Sequence, residues 1–186
     1  MIVKMREKQI ERDSLDELLE FTGLSGITMI EVGSYAGESA EQFASSGKVK
    51  TLWCVDPWKS GYAEKDVAAQ SDFAEVESKF DKVVERHPTI IHKFKGTLSD
   101  FIGHYPEIEP DVIYIDACHT YDACRSDIMN ALKYSPRFMA GHDYCDGWSG
   151  VKKAVNESFG RPDRVFEDSS WIINMADWMV KKHDVA

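Results

Sequence analysis

Cysteine is scarce in this chain, with four in 186 residues, and no two of them form a C-x-x-C pair. Nothing in that pattern suggests a disulfide framework, and a reducing compartment, the cytoplasm, is expected. Long apolar runs are missing as well: none approaches the ~18 residues that span a bilayer. The N-terminal stretch MIVKMREKQIERDSLDELLEF is too charged for a signal peptide. Positive charge is in short supply, 22 Lys and Arg against 32 Asp and Glu, for a formal net charge of −10. Phosphate backbones need a concentrated positive field, so neither nucleic acid nor membrane is expected as a partner. Repeats, low-complexity tracts and Pro/Gly/Ser linkers are absent too. The chain therefore reads as one domain over 1–186: an N-terminal helical segment (1–24), a core (25–175) and a tail (176–186).

Strand-like and helical patterns alternate along that core. Apolar runs at 27–32 (ITMIEV), 52–55, 90–94 (IIHKF), 112–115 (VIYI) and 138–140 predict five strands. Between and after them, 38–45, 64–86, 97–104, 121–134 and a segment from Val151 to Phe159 carry helical spacing, the last closed by Gly160 and Pro162. Such alternation calls for an α/β fold with a mainly parallel sheet and helices on both faces. VFE (165–167) and WIINM (171–175), split by Asp168-Ser169-Ser170, read as an appended antiparallel hairpin. The first ~20 residues read as a helix burying Leu15, Leu18, Leu19 and Phe21.

Ligands of an open parallel sheet settle at the C-terminal ends of its strands. The five ends here carry Glu31 with Gly33, Asp56, Gly96, Asp116 and His142-Asp143. The first loop, Glu31-Val-Gly33-Ser-Tyr-Ala-Gly37-Glu-Ser39, sets two glycines four apart. This allows a tight turn and leaves helix N-terminal N–H groups free for an anionic group. It lacks the G-x-G-x-x-G spacing of dinucleotide binders, which counts against a nucleotide-linked oxidoreductase. Asp56, ending the next strand, is placed to accept hydrogen bonds from both hydroxyls of a ribose.

E-V-G-S-Y-A-G-E-S, V-D-P-W, I-D-A-C-H-T-Y-D, G-H-D-Y and G-V-K-K-A-V-N-E-S-F, in this order, resemble class I S-adenosylmethionine-dependent methyltransferases over about residues 27–175. The branch most resembled is methyltransferase domain family 24, related to sugar and macrolide O-methyltransferases. The resemblance implies a Rossmann-like, seven-stranded sheet and an enzyme that methylates a small polar acceptor. It implies that Glu31, Gly33, Ser34, Tyr35, Gly37 and Ser39 surround the methionine part of S-adenosylmethionine. Asp56 would hold the ribose, Trp58 flank the adenosine, and Thr97 and Leu98 line the adenine. Asp116 would lie where sulfonium and acceptor meet. Two departures stand out: relatives commonly carry Gly and Asp at the positions of Ala117 and Cys118, and Pro136-Arg137-Phe138 replaces a pair of glycines.

A hydroxyl acceptor also needs a base or a Lewis acid. In metal-dependent relatives, acids at the fourth and fifth strand ends hold a divalent cation, and Asp116, His142 and Asp143 occupy comparable positions. Their oxygens suit Mg²⁺, and the imidazole tilts the set towards Mn²⁺, Fe²⁺ or Zn²⁺. A metal-free reading makes His119 or His142 the base, oriented by Asp116. A third makes His119 a loop anchor. Cys118, His119, His142 and Cys145 lack the spacing of a zinc motif. Trp58 and Trp148 follow strand ends, to stack on an acceptor or to pack loops. Acceptor selectivity is left to the N-terminal helix, 58–72 and 144–150, or to a second subunit of a homo-oligomer. A non-catalytic cofactor-binding module is the rival reading.

Overall fold

The computed structural model of the chain describes residues 2–60, 66 and 68–183. Helix α1 (Ile2–Thr22) precedes β1 (Ile27–Val32), α2 (Glu38–Ser45) and β2 (Val49–Asp56). Then follow α3 (Phe73–Arg86), β3 (Ile91–Lys95), α4 (Leu98–His104), β4 (Val112–Ile115), α5 (Tyr121–Ala131) and β5 (Phe138–Gly141). The chain closes with α6 (Ser149–Phe159), β6 (Arg164–Val165), β7 (Trp171–Asn174) and α7 (Met175–His183). The strands form one sheet in the order β3-β2-β1-β4-β5-β7-β6. β1 to β5 are parallel, and β7 runs antiparallel to both β5 and β6. This is the mainly parallel seven-stranded sheet with a C-terminal antiparallel hairpin that the sequence implies.

Side-chain alternation along the strands divides the core in two. Met29, Leu52, Tyr114 and Ile172 face Leu15, Leu18 and Leu19 of α1, Phe43 of α2 and Phe80 of α3. Ile30, Val55, Ile113, Met139 and Ile173 face Phe101 of α4, Ile128 of α5 and Val155 of α6. Strands covered on both faces read as continuous apolar runs, which is why ITMIEV and VIYI stood out. Strand order turns back between β1 and β4, and the crevice opens at that switch point.

Several boundaries differ from the sequence expectation, each for a local reason. The helix expected from 64 starts at Phe73, because the Asp72 carboxylate accepts the Ala74 and Glu75 N–H groups and caps it there. Before it lies a 3₁₀ turn, Ala68–Gln70, and 64, 65 and 67 lie outside the described residues. Helix α5 ends at Ala131 and continues as a 3₁₀ turn to Tyr134, stopped by Ser135 in the left-handed region. Strand β6 covers only Arg164–Val165, since Phe166 N–H already bonds Ser170 C=O to close the connection. Residues of the supposed tail form α7; 184–186 lie outside the described residues. Phe21 is exposed, being about 110° round the helix from the centre of the Leu15/Leu18/Leu19 stripe. Among the described residues no helix is long and apolar enough to cross a membrane.

Candidate active site

The strand tips enclose a cleft of about 610 Å³, within the range of small-molecule sites. Its near wall is the first loop. Gly33 sits at φ +91°, and a Cβ there would stand 2.0 Å from the Asp116 carbonyl oxygen. Only glycine lets the two loops cross. Gly37, at φ +89°, starts α2, and its N–H bonds Ser34 C=O. The Asp56 carboxylate fastens this loop: Oδ2 accepts Tyr35 N–H at 2.9 Å and Oδ1 accepts Trp58 N–H at 2.6 Å. Burial raises the pKa of Asp56, and these backbone donors pull the other way. Gly33, Ser34, Tyr35, Gly37, Ser39, Asp56, Thr97, Leu98 and Asp116 all line the cleft. Thr97 also caps α4 in a reciprocal box with Asp100.

Two residues assigned to the cofactor stand elsewhere. Trp58 is absent from the cleft wall. With its N–H held by Asp56 and its backbone at φ +42°, it turns the indole into the core against Phe80, 4.8 Å between ring centroids. Its Nε1–H donates to Tyr35 C=O, so it braces the first loop from behind. Glu31 is fully buried behind the same loop, with Oε1 accepting Ser39 O–H at 2.6 Å. Its Oε2 has no hydrogen-bond partner among the described residues.

Burial pushes Glu31 from its usual 4.5 up to about 7, although Ser34, Ser39 and Cys54 pull it down. The folded chain thus keeps a proton that the unfolded chain releases between those two values. The contribution of Glu31 to stability falls as pH rises through this window, by about 3 kcal/mol. Glu31→Gln is expected to flatten that fall. Denaturant titrations at pH 5 and pH 8 measure it; a variant with the same pH dependence as the parent would contradict the assignment.

The far wall carries acids and imidazoles. His119 Nε2 lies 2.8 Å from Asp143 Oδ2 and 3.6 Å from Asp116 Oδ1. The geometry makes these charge contacts, with no aligned hydrogen bond at Nε2 among the described residues. His119 Nδ1 bonds Asp66 Oδ2 at 2.9 Å. His142 Nδ1 is 3.3 Å from Asp143 Oδ1, and its Nε2 is 3.7 Å from Asp168 Oδ2. Burial opposes charge on both rings, but the acids prevail: Asp116 and Asp143 raise His119 to about 10. His142 rises to about 9 through Asp143, Asp116 and Asp168. Burial works against the Asp143 carboxylate as well, yet the two imidazoles hold it well below the usual range. Ligand atoms of Asp116, His142 and Asp143 converge within 4.8 Å of one another, and Asp143 adopts φ +61°. Neither Cys118 nor Cys145 belongs to this group.

Two cleft residues, Glu11 and Asp127, and one behind the wall, Asp66, escaped the sequence reading. Glu11 reaches in from α1 and Asp127 from α5, where burial lifts Asp127 to about 6. Asp66, 6% exposed, backs His119. Trp148 stacks on the His119 ring, centroids 4.2 Å apart, so its indole packs this loop.

A parallel sheet reversing between β1 and β4, a glycine loop at the first tip and an acid at the second define a class I methyltransferase fold. The model of methyltransferase domain family 24 matches residues 30–144, so the chain belongs to that family and is an S-adenosylmethionine-dependent methyltransferase. No curated protein matches the sequence. Among solved structures it is similar to the O-methyltransferase NovP, with TM-score 0.60 and 16% identity over 90% of this chain and 79% of that one. It is also similar to an O-methyltransferase from Bacillus cereus in complex with SAH (0.54, 14%, 90% and 78%). A third is Aeropyrum pernix fibrillarin with bound S-adenosyl-L-methionine (0.52, 13%, 81% and 66%), of whose length this chain spans about two thirds. At these identities the likeness is one of fold.

Proposed function

We propose that this protein moves a methyl group from S-adenosylmethionine to a hydroxyl of a small polar acceptor, beside a divalent cation held by Asp116, His142 and Asp143. The convergence of those three ligands within 4.8 Å carries the reading. They follow the ends of β4 and β5, whereas Asp56 ends β2 with β1 between, so cofactor and cation ends are separate. Two carboxylates and an imidazole fit Mg²⁺ or Mn²⁺.

Methyl transfer is an in-line displacement from a sulfonium, and alignment supplies most of what the protein can add. A cation held by these residues would lower the pKa of an acceptor hydroxyl and orient its oxygen, the hydroxyl proton leaving to solvent as the methyl group passes from sulfur to oxygen. The chain's own groups do the rest. Asp56 takes the ribose hydroxyls on the lone pairs left by Tyr35 and Trp58. The first loop, pinned at Gly33 and Gly37, receives the methionine part, and Thr97 with Leu98 bounds the adenine. Glu31 and Trp58 act through that loop, from behind it. Glu11, Glu38 and Asp143 line the cleft together with Lys59, His119 and His142, a mix of both charges that suits a polar, hydroxylated acceptor.

The test is transfer of labelled methyl from S-adenosylmethionine to a panel of sugars and other hydroxylated metabolites. Transfer is expected to fall at least tenfold on chelation and to return with Mn²⁺ or Mg²⁺. Full activity in chelator would remove the cation. Binding of S-adenosylhomocysteine without transfer to any acceptor would favour a non-catalytic module.

A further inference from the structure

His119 ties together three connections that meet at the far wall. Its Nδ1 bonds Asp66 Oδ2 at 2.9 Å, from the β2–α3 connection. Its Nε2 sits between Asp143 Oδ2 at 2.8 Å, beyond β5, and Asp116 Oδ1 at 3.6 Å, at the tip of β4. The Trp148 ring lies against the imidazole, inclined by 32°. The backbone is pinned too: a Cβ on Gly150 would come within 2.6 Å of the His119 carbonyl oxygen. Asp66 is itself fixed, because Oδ1 accepts Ala68 N–H at 2.9 Å.

The neighbouring indole and the hydrogen bond at Nδ1 together restrict the rotation of this ring. The direction of its second nitrogen is therefore set by the first. Here that second nitrogen lies in charge contact, without an aligned hydrogen bond, with two carboxylates that also belong to the candidate cation ligands. A packing histidine would have no need of an acid on each side. A free general base would not have its Nε2 set between two carboxylates, 2.8 and 3.6 Å away.

We propose that Asp66 and His119 are positioning residues for the cation site: Asp66 orients the imidazole, and the imidazole holds Asp143 and Asp116 at their mutual spacing. This rests on the cation reading above. Partners of metal ligands usually contribute ten- to a hundredfold to affinity.

Mn²⁺ titrated into the full-length protein with S-adenosylhomocysteine present, followed by the electron paramagnetic resonance signal of free Mn²⁺, tests it. Asp66→Asn is expected to weaken Mn²⁺ binding about tenfold, and His119→Gln ten- to a hundredfold. Because Asp66 acts through His119, the double variant should bind no more weakly than His119→Gln alone. S-adenosylhomocysteine affinity should stay within about twofold in both single variants, which separates positioning from a general loss of structure. Additive losses in the double variant, or cofactor affinity falling in step with Mn²⁺ affinity, would overturn the proposal. If the parent binds Mn²⁺ and Asp66→Asn binds it equally well, this inference falls and the cation reading stands. If the parent takes up no Mn²⁺, the cation reading falls and takes this one with it.

Discussion

Asp116→Asn is expected to slow methyl transfer by about a thousandfold, or about 4 kcal/mol of transition-state stabilisation. The substitution keeps the shape of the side chain and removes its charge. The backbone at this position is held independently, Asp116 N–H bonding Val32 C=O at 2.8 Å, so the β4 tip stays where it is. What goes is a carboxylate at the edge of the cleft, facing His119 and grouped with His142 and Asp143. Cofactor affinity should change less than about threefold, because the proposed ribose and methionine contacts lie at the tips of β1 and β2. That split is the informative part. Equal losses in kcat and in S-adenosylhomocysteine affinity would move Asp116 from acceptor chemistry to cofactor binding.

Asp56→Ala is expected to act at the opposite end of the cleft. Removing its carboxylate deletes two acceptors for the ribose, each about 1.5–3 kcal/mol for a charged group, so S-adenosylhomocysteine binding should weaken by a hundredfold or more. Part of the loss comes through the protein itself. With Asp56 gone, Tyr35 N–H and Trp58 N–H lose their partner, and the first loop loses its clasp to β2. Asp56→Asn, which keeps an oxygen for one of those donors, should lose less. Calorimetric titration of both variants measures the difference. A loss below about fivefold for Asp56→Ala would sink the ribose assignment.

Much of the frame was legible because strand and helix periods are local signals. Met29 and Ile30 open opposite faces of β1, and the run that contains them announces a strand covered on both sides. Strand tips followed from that frame, and with them Gly33, Asp56, Asp116 and His142-Asp143. Side-chain direction at the tips was harder to read. Trp58 follows a tip, yet its positive φ sends the indole inward, and nothing in V-D-P-W announces that angle. Glu31 was readable in principle: alternation puts it on the Met29 face, paired with Cys54 and Tyr114, away from the cleft. Asp66, Glu11 and Asp127 were beyond reach. Each arrives from a separate element, and only tertiary packing brings Asp66 to His119 or Glu11 of α1 to the cleft. Helix α3 was read too long because the apolar spacing carries on past the point where Asp72 caps it.

The crossing of Gly33 against the Asp116 carbonyl links the fates of these two positions. A descendant that gained a side chain at the first would have to push the second aside in the same step. The loops after β1 and β4 therefore cannot change independently at this junction.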